Sequence, residues 1–362
     1  NIMTKKLTSI RSLNLEEIQS FLVAQNIPKF RAKQIYEWLW KKNCGCFSDM
    51  KNIGKPLQSL LSENFSIDKI ALKDEQLSKD KTLKCAFSID EKSVVEGVLI
   101  PTPRRMTACI SSQVGCSLAC AFCATGKLKL LRNLSAGEIY DQVFYLKKEA
   151  EKRHDKSLSN IVYMGMGEPL LNYKNVIGSI EKICSSEGLG MSPKRITVST
   201  AGIHKMIKKL GDDGVKFNLA LSLHAANDEK RDKIMEINES NNLQSLKEAI
   251  KYFHEKTGSR VTFEYIIFDQ FNDTIQDARE LAEFAKCVPC KINIIEYNPI
   301  DGEPFQQADA LKVEKFAAFL ESKNLIVNIR RSRGKDIDAA CGQLANKNKA
   351  IALESRSLKN NL

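Results

Sequence analysis

Histidine is scarce in this chain, with four residues in 362. None of His154, His204, His224 and His254 stands at zinc-finger spacing from a cysteine pair, so a conventional structural zinc site is not expected. Long apolar runs are missing as well. No stretch approaches the roughly 20 residues that cross a bilayer, and the opening "NIMTKKLTSIRSL" lacks the apolar core of a secretory signal. A cytoplasmic protein with no membrane partner is therefore expected. Neither an internal repeat nor a low-complexity tract is present, which leaves an ordered globular chain.

What is present is an ordinary soluble composition, 43% hydrophobic and 27% charged, long enough for one large core and an accessory domain. Lysine and arginine number 55 against 44 acidic residues, a formal charge of +11, which favours a polyanionic partner. Eleven cysteines, an odd number, in a reducing compartment point to metal ligation or thiol chemistry more than to a disulfide framework.

The organisation follows from periodicity. Residues 1–66 read as a small helical domain, because "NLEEIQSFLVAQ" and "FRAKQIYEWLWKK" place apolar side chains three and four apart, the second turning Tyr36, Trp38 and Leu39 inward. Residues 67–104 alternate and are rich in β-branched residues, as in "KSVVEGVLIP", and read as a short β-hairpin extension. From 105 to 335 strand and helix alternate about six times, from "MTACISSQ" to "LIVNIRR". That alternation makes the fold α/β, with a parallel sheet rolled into a partial (β/α)6-type barrel. Residues 336–362 form a C-terminal loop and a basic tail. In a parallel barrel, chemistry collects after the C-terminal ends of the strands. The unusual segments "GCSLACAFCATG", "GMGEP", "STAG", "SLHAAN" and "YNP" all fall there.

Cys116, Cys120 and Cys123 form C-x3-C-x2-C, three thiols where a closed site needs four. Such a loop can hold three irons of a four-iron cluster and leave the fourth open for a ligand; the alternative is zinc completed by a remote histidine. In "GMGEP", Gly165 and Gly167 permit close backbone approach, and Glu168 supplies a carboxylate suited to an ammonium group.

Together these segments resemble the radical S-adenosylmethionine superfamily. With "ACISSQVGCSLACAFCATG", "MGMGEPLLN", "SLHAANDEKRDKIMEIN", "PCKINIIEYNP" and "DIDAACGQLA", the chain from about 96 to 346 is similar to the RlmN/Cfr family of radical RNA methyltransferases. Pro169 and "CKINIIEYNP" look like the branch that methylates adenosine C2. The resemblance implies a [4Fe-4S] cluster on Cys116, Cys120 and Cys123. It implies S-adenosylmethionine bound by Gly167, Glu168, Ser199, Ser222, Leu223, His224 and Asn298. The implied substrate is 23S ribosomal RNA, and transfer RNA with it. A cellular electron donor such as flavodoxin or ferredoxin is also implied. By the same matching Cys341 is the methyl-carrying cysteine, Cys109 the second thiol that resolves the protein–RNA thioether through a transient disulfide, and Glu96 a proton acceptor. In the family's scheme one S-adenosylmethionine methylates the cysteine, and a second supplies the radical that activates that methyl group.

RNA contact is expected along "RRSRGK", Arg330–Lys335, and from Arg104, Arg105, Lys127 and Lys129; phosphate contacts of this kind position RNA without reading its sequence. "CVPC" at Cys287 and Cys290, and "CGC" at Cys44 and Cys46, read as coincidental pairs. With no coiled-coil pattern or exposed apolar stripe, a monomer is expected. Two rival functions remain at this level: a C8 methyltransferase of the Cfr kind, told apart by its product, and an RNA-binding protein with a structural cluster, which would cleave no S-adenosylmethionine.

Overall fold

The computed structural model describes residues 7–345; the expected basic tail at 346–362 lies outside the described residues. Helices α1 (Leu15–Ala24), α2 (Arg31–Trp40) and α3 (Lys55–Asn64) form the N-terminal region. A capping box between Asn14 and Glu17 starts α1 by satisfying free N–H groups at its first turn. Tyr36 and Leu39 of α2 are buried, but their inward companion is Trp40 and not Trp38. Helix geometry explains the difference: Trp38 lies about 200° around the axis from Tyr36, whereas Trp40, four residues on, returns to its face. Trp38 instead lies half-buried under Lys42, whose Nζ is 3.7 Å from the ring centroid.

Trp40 fastens this region to the rest. Its carbonyl accepts the Tyr140 hydroxyl at 2.6 Å, and the two rings meet edge-on at 5.2 Å. Beside them Arg11 and Asp141, both buried, pair at 2.9 Å, and Lys69 reaches the other Asp141 oxygen. Breaking a buried pair from one side leaves an uncompensated charge, which typically costs about 3–5 kcal/mol. Asp141→Ala should therefore lower the unfolding free energy by about 3 kcal/mol in urea titration; an unchanged midpoint would show that this junction contributes little.

One ten-stranded sheet carries the remainder, with its strands in chain order from edge to edge. Strands β1 (Ala71–Leu77), β2 (Leu83–Ser88) and β3 (Val94–Pro101) run antiparallel and join β4 (Met106–Cys109). The stretch 67–104 is thus continuous with the main sheet. From β4 onward every pairing is parallel, through β5 (Asn160–Tyr163), β6 (Ile196–Thr200), β7 (Asn218–Ser222), β8 (Val261–Ile267), β9 (Cys290–Glu296) and β10 (Ile326–Arg330). Helices α4 (Ala136–His154), α5 (Tyr173–Cys184), α6 (His204–Asp212), α7 (Asp228–Ile234), α8 (Leu243–Thr257), α9 (Ile275–Ala285) and α10 (Ala310–Glu321) make the six crossovers. Strand β8, "VTFEYII", is buried at all seven positions, as expected of a strand covered on both faces. At the edge, β10 leaves Ile326 and Ile329 exposed, and β10 does not pair back to β1 among the described residues. The sheet is an open, partial barrel. No described helix is long and apolar enough to cross a membrane.

Candidate active site

The three cysteines lie on the loop after β4, which the structure folds across the C-terminal ends of the parallel strands. Gly115, at φ 78°, lets the loop cross its own return: a Cβ there would stand 2.1 Å from the Lys129 carbonyl oxygen. Cys116 N–H then donates to Leu128 O at 3.2 Å, and Ala121 N–H ties the loop to the end of α7 through Ile234 O at 3.0 Å. An apolar cluster of Leu118, Phe122, Ile266, Phe268 and Tyr297 packs beside the thiols. Burial raises all three thiol pKa values, that of Cys116 to about 11; Cys123 raises the other two further, and Cys341 raises Cys123. Backbone N–H groups of Gly126 and Thr125 oppose the rise at Cys123. A metal site explains this arrangement, since thiolates are unfavourable here until a cation compensates them.

All three thiols line one cavity of about 910 Å³, counted to its open mouth. Among the described residues no three His, Cys, Asp or Glu side chains converge as ligands to a single ion would. Three thiols at one cavity are the number that a four-iron cluster with one open iron takes from the protein. Of the four histidines only His224 lines this cavity, and it is committed elsewhere: its Nδ1 accepts Ile266 N–H at 3.0 Å. Burial, aided by Arg231, pushes its pKa down to about 3, so the ring is neutral.

The strand ends supply the other walls. Gly165, Gly167, Glu168, Ser199 and Ser222 all face the cavity, and the two serine hydroxyls lie 3.2 Å apart. The close approach permitted by the glycines is to the chain itself. A Cβ on Gly167, at φ 94°, would stand 2.4 Å from the Gln113 side chain, and one on Gly165 would stand 2.7 Å from the Ile110 carbonyl. They let the β5 loop pack against the segment leading into the cysteine loop. Glu168 is buried and accepts Ala201 N–H at 2.8 Å and Leu170 N–H at 3.0 Å. Burial raises its carboxyl pKa against these hydrogen bonds. An ammonium group in the cavity would meet a desolvated carboxylate already fixed in place.

A second cavity, of about 1220 Å³, opens beside the first. Cys341 lines both; Cys109 lines only the second. Cys341 is exposed at the wall shared by the two cavities; desolvation raises its thiol pKa while Arg330 pulls it down. The Cys109 thiol is pushed up to about 12 by burial, with Cys341 adding and Arg330 opposing. Arg330 itself lines both cavities and pairs with Glu264 at 3.4 Å. Arg105, Arg331 and Arg333 ring the second cavity, making its mouth basic. Lys127 turns away to Glu303 at 2.9 Å, while Arg104 and Lys129 are exposed.

Three residues assigned by resemblance stand back from both cavities. Leu223 is fully buried and its N–H donates to Glu264 O. Asn298 supports the Cys341 loop, donating to Cys341 O at 3.3 Å, and its buried Oδ1 has no hydrogen-bond partner. Glu96 faces the C-terminal loop from behind: Oε2 accepts Ala345 N–H at 2.9 Å and Oε1 lies 3.6 Å from Lys84. Cys44, Cys46, Cys287 and Cys290 line neither cavity.

Two residues that sequence reasoning passed over belong to the site. Glu264 on β8 lines the first cavity, anchored by Asn293 at 2.8 Å. Arg231, hidden in the charged run "DEKRDK", is fully buried and gathers the strand ends: Nη2 donates to Ala201 O at 2.5 Å and Nε to Leu223 O at 3.1 Å. The second had no signal in sequence, because charged runs usually lie on solvated helix faces. Glu264 had one, a lone acid in an otherwise apolar strand.

Comparison with known proteins comes to the same place. A family model described as the radical SAM superfamily matches residues 110–285, and one described as a ribosomal RNA large subunit methyltransferase N-terminal domain matches 8–67. A probable dual-specificity RNA methyltransferase RlmN of Cytophaga hutchinsonii is 59% identical, over 93% of this chain and 92% of that protein. A dual-specificity RNA methyltransferase RlmN of Nautilia profundicola is 40% identical, over 92% and 96%. The crystal structure of a radical SAM methyltransferase from Sphaerobacter thermophilus superposes with a TM-score of 0.88 at 35% identity, over 93% of this chain and 99% of that one.

Proposed function

This chain belongs to the RlmN family of radical S-adenosylmethionine RNA methyltransferases, and from that premise we propose that it methylates C2 of adenosine in 23S ribosomal RNA and in transfer RNA, with Cys341 carrying the methyl group. The observation that carries the reading is the place of Cys341 where two cavities meet, one walled by the three-cysteine loop and the other by Cys109 and a ring of arginines.

The cofactors are a [4Fe-4S] cluster, which Cys116, Cys120 and Cys123 would hold, and S-adenosylmethionine, which Gly167, Glu168, Ser199, Ser222 and His224 would face. When bound they supply an electrophilic methyl group and a radical able to remove hydrogen, which adenine C2, a poor nucleophile between two ring nitrogens, requires. The protein's own part is to present thiols. Cys341 accepts a methyl group as a thiolate, the form that the Arg330 guanidinium favours. Glu264 fixes that guanidinium between the cavities. Cys109, facing the second cavity, is the thiol for releasing RNA from Cys341. Arg105, Arg331 and Arg333 would neutralise phosphates while one adenosine is turned into the cavity, a recognition by shape and charge. Glu96 acts as a support of the Cys341 loop in this reading. We also propose a cytoplasmic monomer reduced by a flavodoxin or ferredoxin.

Mass spectrometry of digested ribosomal and transfer RNA, taken from cells lacking the endogenous activity and supplied with this chain, should detect 2-methyladenosine in both. If 8-methyladenosine were the sole product, the C2 assignment would fall and the Cfr kind of reaction would replace it.

A further inference from the structure

We propose that the turn between β1 and β2, residues 78–82, is a latch that positions Cys341, with Asp80 and Asp336 as positioning residues; this rests on the reading of Cys341 as methyl carrier. The chain after β10 brings Cys341 into place on a loop whose only regular structure is one short 3-10 turn, Lys335–Ile337. Gly334, Asp338 and Gly342 in it have φ of 65°, 50° and 82°. A loop of this kind holds one position only where other elements grip it.

Besides Asn298 on Cys341 O and Glu96 on Ala345 N–H, the loop is gripped at its two ends. At the near end Gly334 N–H donates to Asp80 Oδ2 at 2.9 Å, and Arg333 Nη1 to Asp80 O at 3.4 Å. The Ser78 hydroxyl and Lys79 N–H donate to the two oxygens of Asp336 at 2.5 and 3.1 Å. Thr82 closes the seat: a Cβ on Gly334 would come within 3.0 Å of its Cγ2. At the far end Ala124 N–H donates to Gly342 O at 2.7 Å and the Thr125 hydroxyl to Leu344 O at 2.6 Å. The far anchor belongs to the cysteine loop; the near one does not. Burial works against the Asp80 carboxylate, but hydrogen bonds from Thr82 and Gly334 hold its pKa at about 2, so it remains an anionic acceptor throughout the neutral range. Hydrogen bonds to ionised acceptors are the stronger class. The near anchor therefore holds the Cys341 loop by contacts that do not involve the metal-binding loop.

Asp80→Asn is a selective test. Asp80 Oδ1 organises the turn by accepting Thr82 N–H at 2.9 Å, and asparagine keeps that acceptor while placing an amide where Gly334 N–H needs an oxygen. The full chain is equilibrated with oxidised and reduced glutathione, and the Cys109–Cys341 disulfide is measured by peptide mass spectrometry. Two protein thiols are oxidised as one oxidised glutathione becomes two reduced molecules. D80N should shift this equilibrium at least tenfold toward the thiols, with D336N shifting it the same way and D336E recovering part. A purely structural role would lower thermal stability without moving the exchange constant. An exchange constant within twofold of wild type in D80N would overturn the latch; should D80N not fold, the exposed D336N decides by the same criterion. A tenfold shift with no methyl group on Cys341 of cell-made wild type would keep the latch and overturn the carrier reading.

Discussion

Cys341→Ala should leave the iron absorbance of the reconstituted protein intact and abolish RNA methylation, a loss of more than about 10³-fold, as when an enzyme loses its nucleophile. The substitution removes one sulfur from the junction of two cavities. The backbone contacts of the loop use main-chain atoms of its neighbours, Gly342 O and Leu344 O, and so survive. Cofactor cleavage uncoupled from RNA should persist, because none of the three loop thiols is touched. Labelled methyl transferred from S-adenosylmethionine should appear on the wild-type protein and not on the variant. Label retained by the variant would move the carrier role to another cysteine.

Cys120→Ala should have an effect of similar size by another route: iron content and visible absorbance collapse, and methylation falls below detection together with cofactor cleavage. Three thiols from one loop are the ligands assigned to the cluster, and the fourth thiol at this cavity, Cys341, is assigned to the methyl group, so losing a loop thiol leaves no spare ligand on that loop. The fold should persist, since the loop is held by the Cys116 N–H to Leu128 O and Ala121 N–H to Ile234 O bonds and by packing of Leu118 and Phe122. Far-ultraviolet circular dichroism should therefore match wild type. A variant that kept its iron would refute the cluster assignment. The two substitutions differ in one readout: iron is retained without Cys341 and lost without Cys120, which separates carrying the methyl group from generating the radical chemistry.

Much was legible from the chain because the signals are local. Strand alternation at period two and helix alternation near 3.6 depend only on neighbours, so a parallel sheet built from about six strand–helix repeats, and the incomplete barrel they imply, could be read in advance. C-x3-C-x2-C is equally local, a metal loop written in eight consecutive residues. Trp38 and Trp40 mark the limit of such reading, since a two-residue error moves a side chain to the opposite face of its helix.

What tertiary structure decided is adjacency across the sheet. Cys109 and Cys341 share a cavity although more than two hundred residues separate them, because β4 and the loop after β10 meet over the same strand ends. Arg231 became a fully buried clamp only when α7 folded over the ends of β6 and β7. Glu96, Leu223 and Asn298 proved to stand behind the cavities, and the hairpin turn at 78–82 proved to grip the loop of Cys341. Periodicity reports which face of an element is buried; it carries no information on which distant element covers that face. The superfamily resemblance, the metal loop and the alternation of strand and helix were legible in the chain, while the meeting of two thiols, one arginine and two cavities was set by how the sheet curls and where its last loop returns.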